Sequence, residues 1–536
     1  MFDAGNIFKV PILALIGGFL FISMVEAETN ISKSTADHSK FKELQQEFKT
    51  GSEVTQACLV CHTEAAKQLM KTTHWTWEFN HPVTGEKLGK RNVLNSFCGN
   101  VATNEPRCTS CHIGYGWKDM NQASSEALSE YDVDCLVCHD TTRTYSKVAT
   151  DAGHPQYEDK IINGKKVLPP DLTKIAQHVG KTKRENCGAC HFYGGGGDGV
   201  KHGDLDSSLV NPPRALDVHM SKDGANMTCA TCHNPDAHNV PGSRYATKAV
   251  DKDGVDTPAN HYKDHTTCES CHNATPHKDN QKLNDHTDKV ACQTCHIPEF
   301  ARGGVATKTW WDWSAAGKLD TNGKPLSIKD EHGHLSYLST KGDFKYEENV
   351  VPSYAWFDGQ MSYTLRDAKL DDTKVVAINH FGGSADDPNS RLWPFKVMHG
   401  KQPYDTKEKH LLLNHVFGQD DASFWDNFDW AKALKFAAEQ SGQSYSGEFG
   451  FIETTMHWPI THMVAPKDEA LKCDHCHVRG TGRLEGIEGV YLPGRDHFPI
   501  LSIVGWSSVL LTLFAISLHA IFRIISSSRG EQGHDK

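Results

Sequence analysis

The chain has 536 residues, 38% of them hydrophobic, and a formal net charge of -11. Phosphate binding needs a basic face, so this balance excludes nucleic acid as a partner. A chain of this length ordinarily divides into domains around apolar cores, yet here the apolar share is modest and 44 glycines and 17 cysteines are present, so something other than side chains must fill part of the interior.

Lys9 precedes the apolar run 10–25, and Val25-Glu26-Ala27 before Glu28 has the small-residue character of a cleavage site, so residues 1–27 read as an export signal. The alternative is an uncleaved N-terminal anchor; either way the following chain is exported. Residues 28–57 form a polar arm, helical or disordered.

Residues 58–296 hold seven Cys-x-x-Cys-His units, at Cys58/Cys61/His62, Cys108/Cys111/His112, Cys135/Cys138/His139, Cys187/Cys190/His191, Cys229/Cys232/His233, Cys268/Cys271/His272 and Cys292/Cys295/His296. An eighth follows at Cys473/Cys476/His477, and only Cys98 is left over. Two thiols at this spacing add across the two vinyl groups of a porphyrin, and the next histidine falls beneath the iron as proximal ligand. Zinc ribbons, redox dithiols and disulfide frameworks use Cys-x-x-Cys without requiring that histidine. Eight covalent haem c groups are therefore expected, and they supply the missing core. The spacings are irregular, which argues against a solenoid. The expected fold is mainly α with extensive loops and a haem-packed core, with short helices at or near each motif.

Residues 297–497 read as a Trp-rich helical lobe carrying the eighth motif, with Trp310, Trp311, Trp313, Trp356, Trp393, Trp425 and Trp430. Within it, residues 335–363 look extended and turn-rich. Residues 429–441 predict a helix with Trp430, Ala433, Leu434, Ala437 and Ala438 on one face and Gly442 as its stop. Residues 498–525 are apolar over more than the length needed to cross a bilayer, and Arg523 and Arg529 at the end place the tail 526–536 in the cytoplasm and the rest in the periplasm. His519 falls in this span and reads as an interfacial side chain.

Of the 32 histidines, the eight proximal ones leave 24 others. Electron-transfer haems in such arrays take a second histidine. His74, His178, His219, His238, His277, His286, His399, His457 and His462 have aromatic, small or apolar neighbours and are the candidates for that role; His38, His332, His334 and His534 sit in polar runs and read as solvated. Catalysis needs one iron with an exchangeable position. Two stretches hint at one: Cys98, shortly before the second motif, and FYGGGGDGVKHGDL at 192–205, in which Asp198 and Lys201 lie on a flexible backbone.

The eight motifs, Cys98 leading into RCTSCHIGYGW at 107–117, GGGGDGVKHGD at 194–204, the Trp-rich lobe and MHWPITHMV at 456–464 resemble the octahaem tetrathionate reductase family of cytochromes c. The resemblance runs from about Cys58 to His477. It implies that the haem of the second motif is catalytic, with Lys201 as its distal ligand, Asp198 and Cys98 in the same pocket, and seven bis-histidine haems conducting electrons. A small inorganic sulfur or nitrogen substrate is implied, tetrathionate, nitrite or hydroxylamine. The electron donor would be a quinol-oxidising membrane protein or a small cytochrome. Two rivals stand beside this reading: a non-catalytic conduit with eight bis-histidine irons, and a hydroxylamine or hydrazine oxidase, for which Tyr491 in GVYLPG at 489–494 is the one hint.

Overall fold

The computed structural model describes residues 36–94, 99–105, 107–117, 128–162, 165–251, 265–418 and 420–531. The signal 1–27, Cys98 and His534 lie outside the described residues.

The haem-dense half is built as expected from short helices and loops. Helix α1 (Gly51–Leu59) starts with a Thr50/Glu53 capping box and runs into the first motif, satisfying two otherwise orphan N–H groups. Helix α2 (Leu172–Gln177) is capped by Asp171, and α3 (Arg184–His191) contains the fourth motif. The polar arm is ordered over its described part: Leu44 and Phe48 pack with Val54, Leu136, Leu172 and Ile175 in one buried cluster. Apolar side chains spaced three to four residues apart drive this docking.

The Trp-rich lobe differs from the helical reading. Its frame is a nine-stranded sheet of β1 (Thr307–Asp312), β2 (Ser327–Lys329), β3 (Leu335–Leu338), β4 (Gly342–Glu347), β5 (Ser353–Phe357), β6 (Val376–Ala377), β7 (Arg391–Asp405), β8 (His410–Leu411) and β9 (Phe449–Pro459), in the order β6-β9-β7-β1-β4-β3-β2, with β5 and β8 also pairing β7. The long β7/β9 ladder is antiparallel from Phe395↔Pro459 to Asp405↔Phe449, whereas β7 and β1 are parallel. Burial alternates along β9, with Ile452, Thr454, Met456 and Trp458 inward, the period of a pleated strand. That face meets Trp311, Trp313, Phe357, Trp393, Phe395 and Met398 in the largest apolar core.

Helix α4 (Trp430–Ser441) matches its sequence pattern: Asp429 caps it, Ala433, Leu434, Ala437 and Ala438 are buried, and Gly442 ends it at φ +69°. The final helix, α5 (Pro499–Glu531), has an apolar segment of 29 residues from Pro499 to Ser527, none of it buried in the protein. Length and composition suit it to crossing a membrane.

Candidate functional site

Each motif sits on a helical turn or directly follows one. In the first, third, fifth, sixth and eighth, the histidine N–H bonds the carbonyl of the first cysteine at 2.8–3.1 Å, closing an α turn. Helical spacing then turns both thiols toward one side. Among the described residues, none of the sixteen motif cysteines is joined to another.

The motif cysteines differ in exposure. Cys61, Cys232, Cys271 and Cys473 are exposed, while the other twelve are half-buried. Cys61 shows the reason most clearly. Helix α1 ends at Leu59, so Cys61 lies in the turn beyond it, where its N–H bonds the Cys58 carbonyl at 3.2 Å. That turn leaves the cluster around Val54 and brings Val60, Cys61 and His62 to the surface. Cys58, one turn earlier, still packs against that cluster.

Six proximal histidines face a second imidazole. The ring centres are 6.5 Å apart for His38–His62, 6.1 Å for His74–His191, 6.0 Å for His219–His272, 6.4 Å for His233–His462, 6.1 Å for His277–His296 and 6.1 Å for His286–His477. Two metal–nitrogen bonds of about 2 Å, with each nitrogen about 1 Å from its ring centre, require about 6 Å between centres. These residues fit a bis-imidazole iron.

Hydrogen bonding sets the tautomer. Nδ1 donates to the carbonyl of Gly180 in His139, Pro241 in His233, Lys282 in His286 and Pro493 in His477, at 2.6–3.0 Å. Since a carbonyl only accepts, Nδ1 carries the proton and Nε2 keeps its lone pair for a metal. Burial also holds several rings neutral: it pushes the pKa of His191 down to about 3 and lowers those of His74, His219, His238 and His296. His462 goes the other way: burial lowers it, but the hydrogen bond from Nδ1 to buried Asp204 at 3.2 Å and the charges of Asp204 and Asp217 together raise it.

His38, read from its polar neighbours as solvated, is instead the partner of His62. The arm's apolar residues were the available signal, since their docking carries His38 to the first motif. His238 lies within electrostatic range of His139 and His62, with Nδ1 on Gln68 Oε1 at 2.9 Å. His178, His399 and His457 correct the candidate set: among the described residues, none stands at that spacing from a proximal histidine. His178 is exposed with Nδ1 on the Lys174 carbonyl, His399 is exposed on β7, and His457 lies between Phe381 and Phe395. His334 lies 3.9 Å from the Asp330 carboxylate and 3.4 Å from that of Glu348.

The motifs also touch one another. Thiols meet in hydrogen-bonding contact between Cys58 and Cys135, Cys111 and Cys190, Cys187 and Cys229, and Cys268 and Cys292. Electrostatic range further links Cys138 to Cys187, Cys232 to Cys271 and Cys295 to Cys476. The eight motifs thus form one connected series, with the second branching from the fourth.

The second motif stands apart. Its turn is a 3-10 turn in which the His112 N–H bonds the Thr109 carbonyl at 2.8 Å rather than Cys108, which re-aims the histidine. The buried ring stacks on Trp117 at 3.3 Å, and Nε2 donates to the Trp75 carbonyl at 2.7 Å. Cys108 and Cys111 line a cavity of about 530 Å³ together with Gly99, Arg107, Cys190, Gly194 and Lys201. Lys201 is 4% exposed and its ammonium lies 5.6 Å from the centre of the Trp458 ring. Gly99, next to Cys98, reaches the cavity. Asp198 does not line it: both carboxylate oxygens accept from Ser207, from its backbone N–H at 2.9 Å and from its hydroxyl, so the carboxylate holds the loop instead of facing the cavity. The loop needs its glycines for close passage. Gly199 has φ +62°, and a Cβ on Gly203 would lie 2.2 Å from the Phe300 ring.

Comparison with known proteins agrees with this geometry. The chain is similar to the octaheme cytochrome c of Shewanella oneidensis, known from a crystal structure, at 40% identity and a TM-score of 0.72, covering 86% of this chain and 100% of that one. Residues 308–480 match the family model "Cytochrome c bacterial" and residues 57–140 match "Cytochrome c554 and c-prime". An uncharacterized protein of Archaeoglobus fulgidus is 25% identical over 263 residues, 40% of this chain and 82% of that protein. Paired imidazoles, adjoining thiols and likeness over the length of a solved relative lead to one conclusion: the chain belongs to the octahaem cytochromes c and is a redox protein that binds haem c covalently.

Proposed function

We propose that the protein is a membrane-attached periplasmic reductase with eight haem c groups, acting on a small oxidised sulfur or nitrogen species at its second motif. The carrying observation is the cavity beside Cys108 and Cys111, lined by a buried amine, Lys201, where six other motifs have a facing imidazole. Cys108 and Cys111 would tether the group and Lys201 would offer it an amine, while His112 would serve it through Nε2 only after leaving the Trp75 carbonyl that this nitrogen bonds at 2.7 Å. Haem c supplies one-electron transfer at every motif and, at the second, a coordination position that a substrate can take.

The chain's own residues support the reading in two ways. Lysine donates to a metal only as the free amine, so protonation releases it, which makes it an exchangeable ligand in a way a second imidazole is not. The cavity is lined by Lys90, Arg107, Arg143, Lys147, Lys183 and Lys201 against Asp140 and Glu185, a balance that draws an anion such as tetrathionate or nitrite. Arg143 is neutralised by Glu185 and Lys147 by Asp134, whereas Arg107 lies over the Trp425 ring at 5.0 Å.

The eighth motif lies next to the apolar helix, since His477 bonds the Pro493 carbonyl shortly before α5 begins. This supports delivery of electrons at the membrane from a quinol-oxidising protein, with a small periplasmic cytochrome as the alternative donor. The same proximity favours the second reading, a conduit between the quinone pool and an external acceptor.

Lys201→Ala separates the two. In the reductase, the variant loses a lysine-ligated low-spin EPR signal and turnover of tetrathionate, nitrite and hydroxylamine together, while the bis-histidine signals persist. Unchanged spectra and unchanged turnover would sink the assignment and leave the conduit.

A further inference from the structure

We infer that Lys396 is a positioning residue that sets where the Lys201 amine stands. The inference rests on the reading of Lys201 as an axial donor and adds the device that aims it.

Lys396 lies on β7 and is wholly buried at 0% exposure. Its ammonium donates to the carbonyls of Val200 and Lys201, each at 2.9 Å, and to the hydroxyl of Thr307. Thr307, on the neighbouring strand β1, donates in turn to the carbonyl of Gly199 at 2.7 Å. Two side chains from adjacent strands therefore hold three successive carbonyls, 199 to 201.

The loop's own anchors are backbone bonds, such as Gly199 N–H to the Phe192 carbonyl, and the Asp198 carboxylate on Ser207. Gly194, Gly195, Gly196, Gly197 and Gly199 offer no side chains to anchor it, and glycine backbone is the most freely deformable. The lysine stem is long and flexible, so a fixed Lys201 main chain decides which part of the cavity the amine reaches. A buried ammonium is costly, and an apolar residue of similar size usually serves stability as well or better. Geometry at the loop is the benefit that Lys396 supplies in exchange.

The test uses the full-length, haem-loaded protein as Lys396→Met, Thr307→Val, Thr307→Ser and Lys201→Ala, followed by EPR, thermal melting and steady-state kinetics with nitrite. Lys396→Met and Thr307→Val are expected to move part of the Lys201-dependent low-spin signal to high-spin, with bis-histidine signals intact. They should lower kcat about ten- to a hundredfold, the scale for a misplacement of about 1 Å, with KM little changed. Thr307→Ser, which keeps the hydroxyl, restores both. A signal abolished in Lys201→Ala but of wild-type shape and intensity in Lys396→Met and Thr307→Val overturns the positioning role alone. A signal that survives Lys201→Ala overturns the ligand reading beneath it. Should Lys396→Met fail to fold, the milder Thr307 pair decides the matter.

Discussion

Asp206, just beyond the glycine-rich loop, makes a pH-dependent stability term that one substitution should erase. It is 1% exposed; Oδ1 accepts from the Ser208 N–H at 2.8 Å and its hydroxyl at 2.5 Å, and Oδ2 has no hydrogen-bond partner. Burial, reinforced by Asp198 and Asp204 and opposed by Ser208, pushes the carboxyl up from 3.8 to about 6. Between those values the folded protein holds a proton that the unfolded chain has released. The sign follows: the protonated fold is favoured at low pH, and stability is lost as pH rises from the unfolded value through about 6. At about 1.4 kcal/mol per pH unit the full loss is about 3 kcal/mol. Asp206→Asn keeps the oxygen that serves Ser208 and cannot ionise. Its amide N–H lacks a partner, at a cost of about 1–3 kcal/mol, so the slope with pH, not the absolute level, is the readout. Denaturant unfolding of both proteins between about pH 4 and about pH 7 should give curves that diverge in favour of the variant as pH rises. Parallel curves would refute the reasoning.

Three other outcomes are expected. His38→Ala leaves His62 without its facing ring, so EPR spin quantitation should lose one low-spin haem, with the other bis-histidine signals unchanged; retention of all of them would remove His38 from the ligand set. Gly203→Ala drives a methyl into the Phe300 ring and should cost about 1–3 kcal/mol in chemical denaturation, visible as a lowered melting temperature. Ending the chain after residue 497 removes α5, and the truncated protein should leave the membrane fraction in a carbonate wash that retains the full chain.

The sequence was most legible where structure is local. The spacing of thiols and histidine places every motif on or beside its own turn, and α4 was readable because its cap, apolar face and glycine stop lie within a dozen or so residues. The sheet was not readable this way. β7 contains Pro394, Gly400 and Pro403, which weaken a strand in isolation; it stands because β9, β5, β1 and β8 pair along it. Distal histidines failed for a related reason. His38 was set aside for its polar surroundings and His457 favoured for its apolar ones, yet docking of the arm and the pleat of β9 reversed those assignments.

The amino-acid order by itself determined the eight Cys-x-x-Cys-His motifs with their local turns and an apolar helix long enough to span a bilayer, because each depends on residues within a turn or a single segment. Tertiary structure alone decided which imidazole faces which, how the motifs join into one series, and that Lys201 lines the cavity of the second motif while Asp198 turns to Ser207. Those outcomes join residues far apart along the chain, as His233 with His462 and Lys396 with Lys201. Such pairings follow from the packing of whole elements, and local pattern carries no record of them.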